Sequence, residues 1–565
     1  MGMIAQRPCI SQLSLLEKRS MSIGNSGVSQ ISTDPALLPR AVALRILSLA
    51  YVIRSEDNSG NTDANIQANS FANNPLRTTV PLVSKSWQQL LKTEEAHKVL
   101  WHRVRIYDSF IPKSFDLLSF TAFWSPRSNF ILELDVNLNG KDPATCSALS
   151  SALSGLIGVT LNLKTLRVTG PLSVGSMFTN LGEQLSQLTA LSSIYLAGGS
   201  PGTWQLEDAL KALSILHALQ KVEIRFNNDT EGVSSAILDS ICHLTSLSHL
   251  SLQWPLRSAL PPMGELPAVF SSLSSLTTLQ LKRVPLQTAS PGWLGHFPAL
   301  QHLFWDPYLP VDVTGVLPKQ LASMPLLRTL YAEMRPPLFL PPGLTALERL
   351  TLVGRGQPDP SLTPQQAAPN WDWLQPLSSL VSLRLQGGNI TVLPESVRVL
   401  SKVTRLELMC NEITAEKLLP GPWLQSVQHL HLGCNQIQEF PAALHSATAL
   451  QSLHLANQRS VAGVHQGPNS VTQRLKLTGD DVAALLAAPH LTTVVVGMTQ
   501  PQVLMGGRTC DFDWLQRVLR QRRSIHSGPI KLTSKELAYE LEEMEVFKVP
   551  HLTNDELSLD DEPQN

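Results

Sequence analysis

His429, His431 and His454, with Cys410 and Cys434, are the side chains of this sequence whose types most readily do chemistry, because imidazole and thiolate hold zinc and related cations. Their spacing matches no dedicated metal motif. His431 and His454 fall at the same place in successive repeats, where neighbouring strands would bring the rings together at about 4.8 Å, and a polar binding face accounts for that as well. Cys410 and Cys434 stack just after their strands and are expected to be reduced thiols. No metal and no cofactor is expected. An H-E-x-x-H helix and a phosphate loop are both missing from the sequence. The pair Gly354-x-Gly356 is followed by Gln-Pro rather than a helix and reads as a turn. The chain is expected to bind rather than to catalyse.

Composition narrows what it binds. The 44 Lys+Arg and 45 Asp+Glu leave a formal charge of -1, so no global basic field favours nucleic acid or an anionic membrane. No apolar run reaches the length of a membrane span, and the first thirty residues lack the pattern of a secretory signal. The six cysteines are scattered, as in a reducing compartment, and a cytoplasmic or nuclear protein is expected. At 565 residues, with 43% hydrophobic and only 16% charged side chains, the chain exceeds one compact core and must be multidomain or repetitive.

The repeat is L-x-x-L-x-L. It opens at Ile131, Leu134, Val136 and recurs with leading residues Leu163, Leu191, Leu219, Leu247, Leu276, Leu300, Leu327, Leu347, Leu380, Val403, Val427, Leu450 and Leu491. The last two apolar positions of each unit alternate on a short strand and point inward, while the first lies on the turn leading in. One unit cannot bury that face alone, so units must stack into a parallel sheet. An Asn three residues past the last apolar position, present at Asn139, Asn227, Asn411 and Asn435, can bond backbone groups where the chain leaves the sheet. Units from Leu163 to Leu247 are 28 residues apart, which leaves room for convex helices at 206–216 and 233–244; from Leu380 to Leu450 the step falls to 23 or 24, which suits turns or 3-10 segments. Inserts are expected at 357–369 and 458–473. The expected fold class is α/β, a leucine-rich-repeat solenoid with a curved parallel sheet and convex helices and turns.

A different pattern precedes it. Leu37 to Leu49 reads L-L-P-R-A-V-A-L-R-I-L-S-L, followed by Pro81-Leu82-Val83-Ser84-Lys85-Ser86-Trp87-Gln88-Gln89-Leu90 and by Leu100-Trp101. This order resembles the F-box, a small all-α module, with Ser84 where the family usually has Cys and a polar insertion at 54–74. The resemblance implies that the chain is a substrate receptor of a cullin-RING (SCF-type) ubiquitin ligase. Leu38, Pro39, Val42, Ile46, Leu47, Val83, Trp87, Leu90 and Trp101 would then dock a Skp-family adaptor while the repeats hold the substrate. The alternative is a non-ligase repeat scaffold whose N-terminal helices only cap the solenoid.

The expected organisation is a disordered terminus at 1–35, the F-box-like module at 36–106, about 14 repeats over 107–510, a cap and helix at 511–549 and an acidic tail at 550–565. Residues alternating with the buried leucines should line the concave face. Tyr195, Arg225, Phe226, Trp254, Lys282, Arg283, Phe304, Tyr331, Arg349, Arg384 and Arg405 are the candidate substrate-binding set, since exposed aromatics and arginines tend to become binding hot spots. Its cationic bias suggests an acidic protein partner, opposed chiefly by Glu223, Asp306, Glu333 and Glu407.

Overall fold

The computed structural model describes residues 93–94, 102–107, 125–137, 155–170, 184–198, 210–211, 213–226, 239–254, 268–284, 294–295, 297–307, 317, 319–334, 338, 340–354, 371–456, 458, 475–496, 502–505, 508–510, 515–516, 518–519 and 531–533. Two compact units divide the chain, one reaching Pro261 and including Leu266–Leu276, the other holding Pro262–Glu265 and everything from Thr277 onward.

The first unit carries β1 (Arg103–Tyr107), β2 (Glu133–Asn137), β3 (Thr165–Thr169), β4 (Ser193–Ala197), β5 (Lys221–Arg225) and β6 (His249–Gln253), each parallel to the next. The register aligns the repeat position by position: Leu134, Leu166, Ile194, Val222 and Leu250 are successive partners. All five are buried, as are the leading residues Ile131, Leu163, Leu191, Leu219 and Leu247 behind them. Outward residues stay half-buried, so the period-2 alternation of a sheet with one wet face is kept throughout β2, β3, β5 and β6. Among the described residues of the long repeats, helical backbone appears at 155–159, 184–185, 210–211, 213 and 239–241.

The sheet starts earlier than the expected boundary. β1 pairs with β2 from Arg103↔Glu133 onward, inside the span 36–106 assigned to the helical module. Trp101-x-x-Val104-x-Ile106 keeps the repeat spacing with an aromatic residue in the leading place, which hid it from a search for leucines.

The second unit continues the same construction. Its strands β7 (Thr278–Val284), β8 (His302–Pro307), β9 (Thr329–Met334), β10 (Arg349–Gly354), β11 (Ser382–Gln386), β12 (Arg405–Glu407), β13 (His429–His431) and β14 (Ser452–His454) run parallel in sequence order. After β15 (Lys476–Thr478), β16 (Thr493–Val495) pairs with β14. β17 (Gln502–Met505) and β18 (Arg508–Cys510) join β15 in a small mixed sheet, and β19 (Lys531–Thr533) pairs with β16. β19 lies where a C-terminal cap and helix were expected. Leu515 and Leu519, four residues apart and buried, do have helical backbone there.

Short repeats have short convex segments, because the chain has few residues in which to return. The L-P-x-x-V-x-x-L stretch gives a single turn, α1 (Glu395–Arg398), and F-P-A-A-L gives a 3-10 segment at Ala442–Ser446. α2 (Gly479–Ala487) was not anticipated. Its start is a capping box: Thr478 accepts from the Asp481 backbone N–H, and the Asp481 carboxylate accepts from the Thr478 backbone N–H at 2.7 Å. Gly354 closes β10 because a Cβ there would lie 2.1 Å from the Gly387 carbonyl oxygen, which no side chain tolerates.

Asn411 and Asn435 perform the bonding expected of them. Asn411 Nδ2 donates to the carbonyls of Leu385, Leu408 and Met409, while its Oδ1 accepts from Gly388 and Ile390 N–H. Asn435 repeats the pattern one unit on. Gln458 then takes the same place, donating to Leu432, Leu455 and Ala456 and accepting from Ile437 N–H. A search for asparagine missed it, and Gln458, drawn as the start of an insert, belongs to the repeat. Asn139 and Asn227 lie outside the described residues. No helix among those described is long and apolar enough to cross a membrane.

Candidate functional site

Candidates from the sequence separate by register. In the first unit Tyr195 and Arg225 face outward, as expected, and are half-buried. Arg167, one strand before Tyr195 in the same row, sets its guanidinium 4.7 Å from the Tyr195 ring centroid. Arg167 was missed, though its identical place in the preceding repeat marks it. Phe226 and Trp254 are corrected: each is 1% exposed, with ring centroids 4.9 Å apart. Counting alternate residues from Val222 and from Leu250 places both inward, so they are core rather than binding surface.

In the second unit, outward residues are packed side by side. Phe304 and Tyr331 stack at 4.0 Å and 6° between planes, Lys282 Nζ lies 5.0 Å from the Phe304 centroid, and the Tyr331 hydroxyl donates to Glu333 Oε1 at 2.5 Å. Phe304, Tyr331 and Val353 form a small buried cluster. Outward direction is as expected for Phe304 and Tyr331, but the exposure expected of them is absent, because neighbours 4.8 Å or so apart cover each other. Arg283 breaks the strand alternation through a left-handed backbone (φ 56°) at a register shift, and reaches Asp306 at 4.0 Å.

Farther along the same unit, two guanidinium groups converge on one carboxylate. Arg384 Nη1 is 3.3 Å from Glu407 Oε2, Arg405 Nε donates to Glu407 Oε1 at 2.5 Å, and Arg384 Nη2 donates to Gln386 Oε1 at 2.5 Å. Burial alone would raise the Glu407 pKa; Arg384 and Arg405 outweigh it and hold the carboxyl below its ordinary range. The next two places in this row are His431 and His454, stacked at 4.8 Å. His431 Nδ1 accepts from Gly433 N–H at 3.3 Å, which leaves Nε2 to carry the proton of the neutral ring. Burial, and then the neighbouring His454, push its pKa down to about 4. Among the described residues no three potential ligands converge on a cation position.

The adjacent row runs Arg349, Ser382, Arg405, His429 on β10 to β13. Arg349 and His429 are exposed and Arg405 is half-buried. Strands β10 to β13 thus carry three guanidinium groups against the single carboxylate of Glu407, and this strip is the open, cationic part of the candidate set. The adaptor-binding candidates Leu38, Pro39, Val42, Ile46, Leu47, Val83, Trp87, Leu90 and Trp101 lie outside the described residues.

Repeat spacing, strand register and the buried amide ladder define a leucine-rich-repeat solenoid fold. No known family matches the chain. No curated protein matches it either. Among solved structures, an internalin from Listeria monocytogenes is similar at 15% identity over 76% of this chain and 97% of that one, with a TM-score of 0.35. A leucine-rich-repeat protein from Leptospira interrogans is 18% identical over 59% and 92%, with a TM-score of 0.33. The PEPR1–AtPEP1 complex is 19% identical over 62% and 43%, with a TM-score of 0.36. The fold assignment rests on this chain's own register.

Proposed function

We propose that this chain is a protein-binding receptor that does no chemistry itself and that holds an acidic protein segment on the strip of Arg349, Ser382, Arg405 and His429. The observation that carries the reading is the excess of guanidinium over carboxylate on β10 to β13, with Arg349 open to solvent. Buried Arg384 contributes field rather than contact. In the finer form of the reading, residues 36–106 dock a Skp-family adaptor and make the chain a substrate receptor of a cullin-RING ligase in the cytoplasm or nucleus. The ordered series Leu38-Pro39, Val83-x-Lys85-x-Trp87 and Leu100-Trp101 supports it.

A second reading, a repeat scaffold capped by its N-terminal segment, draws on the pairing of β1 with β2, since a cap would lead directly into the first strand. Affinity capture from cell extract separates the roles. The intact chain should recover both adaptor and substrate, Trp87→Ala with Leu47→Ala should lose only the adaptor, and Arg349→Glu should lose only the substrate. Recovery of the same proteins by all three would sink the division of labour.

A further inference from the structure

On the turns that leave β12 and β13 the same place is filled twice by cysteine. Cys410 and Cys434 each stand two residues past the last inward leucine of their repeat, Leu408 and Leu432. Both have left-handed backbone, with φ of 54° and 55°. Cys410 N–H donates to Gly433 O and Cys434 N–H to Ala456 O, each at 3.0 Å, which is the stepwise bonding of parallel neighbours. Their α-carbons are therefore about one strand spacing, about 4.8 Å, apart. Asn411 and Asn435 sit directly behind and hold the two turns in one shape. Gly387 occupies the equivalent place one repeat earlier, so no side chain crowds Cys410 from that direction. Neither is joined in a disulfide, and each is partly exposed.

A disulfide accepts α-carbons about 4.4 to 6.8 Å apart. Because the two cysteines share a backbone conformation, their Cα–Cβ bonds run parallel, and the β-carbons must close from about 4.8 Å to about 3.8 Å. That movement is small enough to occur and large enough to strain the bond, and a strained, part-exposed disulfide is readily reduced. We propose that Cys410 and Cys434 form a redox-active dithiol site, closed to a reversible disulfide by a hydroperoxide or by a low-molecular-weight disulfide. With a hydroperoxide, one thiolate takes the terminal oxygen to give a sulfenic acid and an alcohol or water. The second thiolate displaces that oxygen as water, and the two thiols have lost two electrons and two protons to the peroxide. With a disulfide oxidant, a mixed disulfide forms first, and the second cysteine expels the remaining half, so that two small thiols leave.

Cys242 supplies the contrast inside the same molecule. It is 4% exposed, and burial followed by the Asp239 charge pushes its thiol up to about 12, far from nucleophilic.

The test is peptide mapping of the folded, full-length chain after brief treatment with hydrogen peroxide, with free thiols blocked before digestion. Trypsin cleavage after Arg405, Lys417 and Arg459 separates Cys410 from Cys434. The expected product is one cross-linked pair, residues 406–417 joined to 418–459, lost on treatment with dithiothreitol, with Cys242 unmodified. Cys434→Ser should give no such pair and should leave a sulfenic acid at Cys410 that dimedone traps. Separate oxidation of the two cysteines without a link, a link to another cysteine, or equal cross-linking in urea-unfolded chain would each overturn the proposal.

Discussion

Arg384 Nη1 lies 3.3 Å from Glu407 Oε2, and the two side chains are only 8% and 10% exposed although both point to the outward side of their sheet. Removing one partner of such a pair leaves the other charge buried. Glu407→Gln is therefore expected to lower the unfolding free energy by about 3 to 5 kcal/mol, read from urea denaturation. Replacing both, as Arg384→Met with Glu407→Leu, should restore much of that loss, and a double variant as unstable as the single one would contradict the pairing.

Acid should unfold the second unit in two overlapping stages. His431 has a folded pKa of about 4 against an ordinary 6.5, so the unfolded chain takes up its proton first. Its contribution to stability is full above pH 6.5 and declines as pH falls towards 4. Glu407 is held below its ordinary range, so its contribution is present above the unfolded carboxyl value and is lost as pH falls through the folded one. His431→Phe should weaken the first stage, to which His302, His429 and His454, also held below the ordinary imidazole range by burial, contribute the rest. Proton NMR of the His431 ring checks it directly, and a midpoint near 6.5 would remove the basis for this stage.

The amide ladder gives a third expectation. Asn435→Leu would orphan Ile413 N–H and the carbonyls that Nδ2 serves, at about 1 to 3 kcal/mol for a buried group left unsatisfied. Gln458→Leu should cost a similar amount, because the longer side chain does the same bonding. A neutral Gln458→Leu in denaturant titration would mean that the ladder ends at Asn435.

Surface and core roles can be told apart by substitution. Phe226→Ala and Trp254→Ala should each destabilise by about 3 to 5 kcal/mol, read by thermal or urea unfolding, and should affect partner capture only through folding. Arg349→Glu should do the reverse, leaving stability within about 0.5 kcal/mol while partner capture falls and its on-rate loses its dependence on salt.

Leucine spacing made the strands legible because each inward position recurs in register, and Leu134, Leu279 and Leu406 all sit where the template puts them. The misses share a cause. β1 follows Trp101, Gln458 replaces asparagine, and β19 has only Leu532 between polar residues, so each departs from the consensus residue type. Phe226 and Trp254 stand two residues past the inward Ile224 and Leu252, so strict alternation turns them inward as well. The closure of Arg384, Glu407, Phe304 and Tyr331 on one another was not legible, because lateral packing depends on which side chains meet across strands rather than on any one strand.

Direct titration of the full-length chain with a purified Skp-family adaptor tests the receptor reading most closely. The expected result is a stable complex that Trp87→Ala with Leu47→Ala abolishes while circular dichroism shows the repeats still folded. A folded wild-type chain that forms no complex would contradict it.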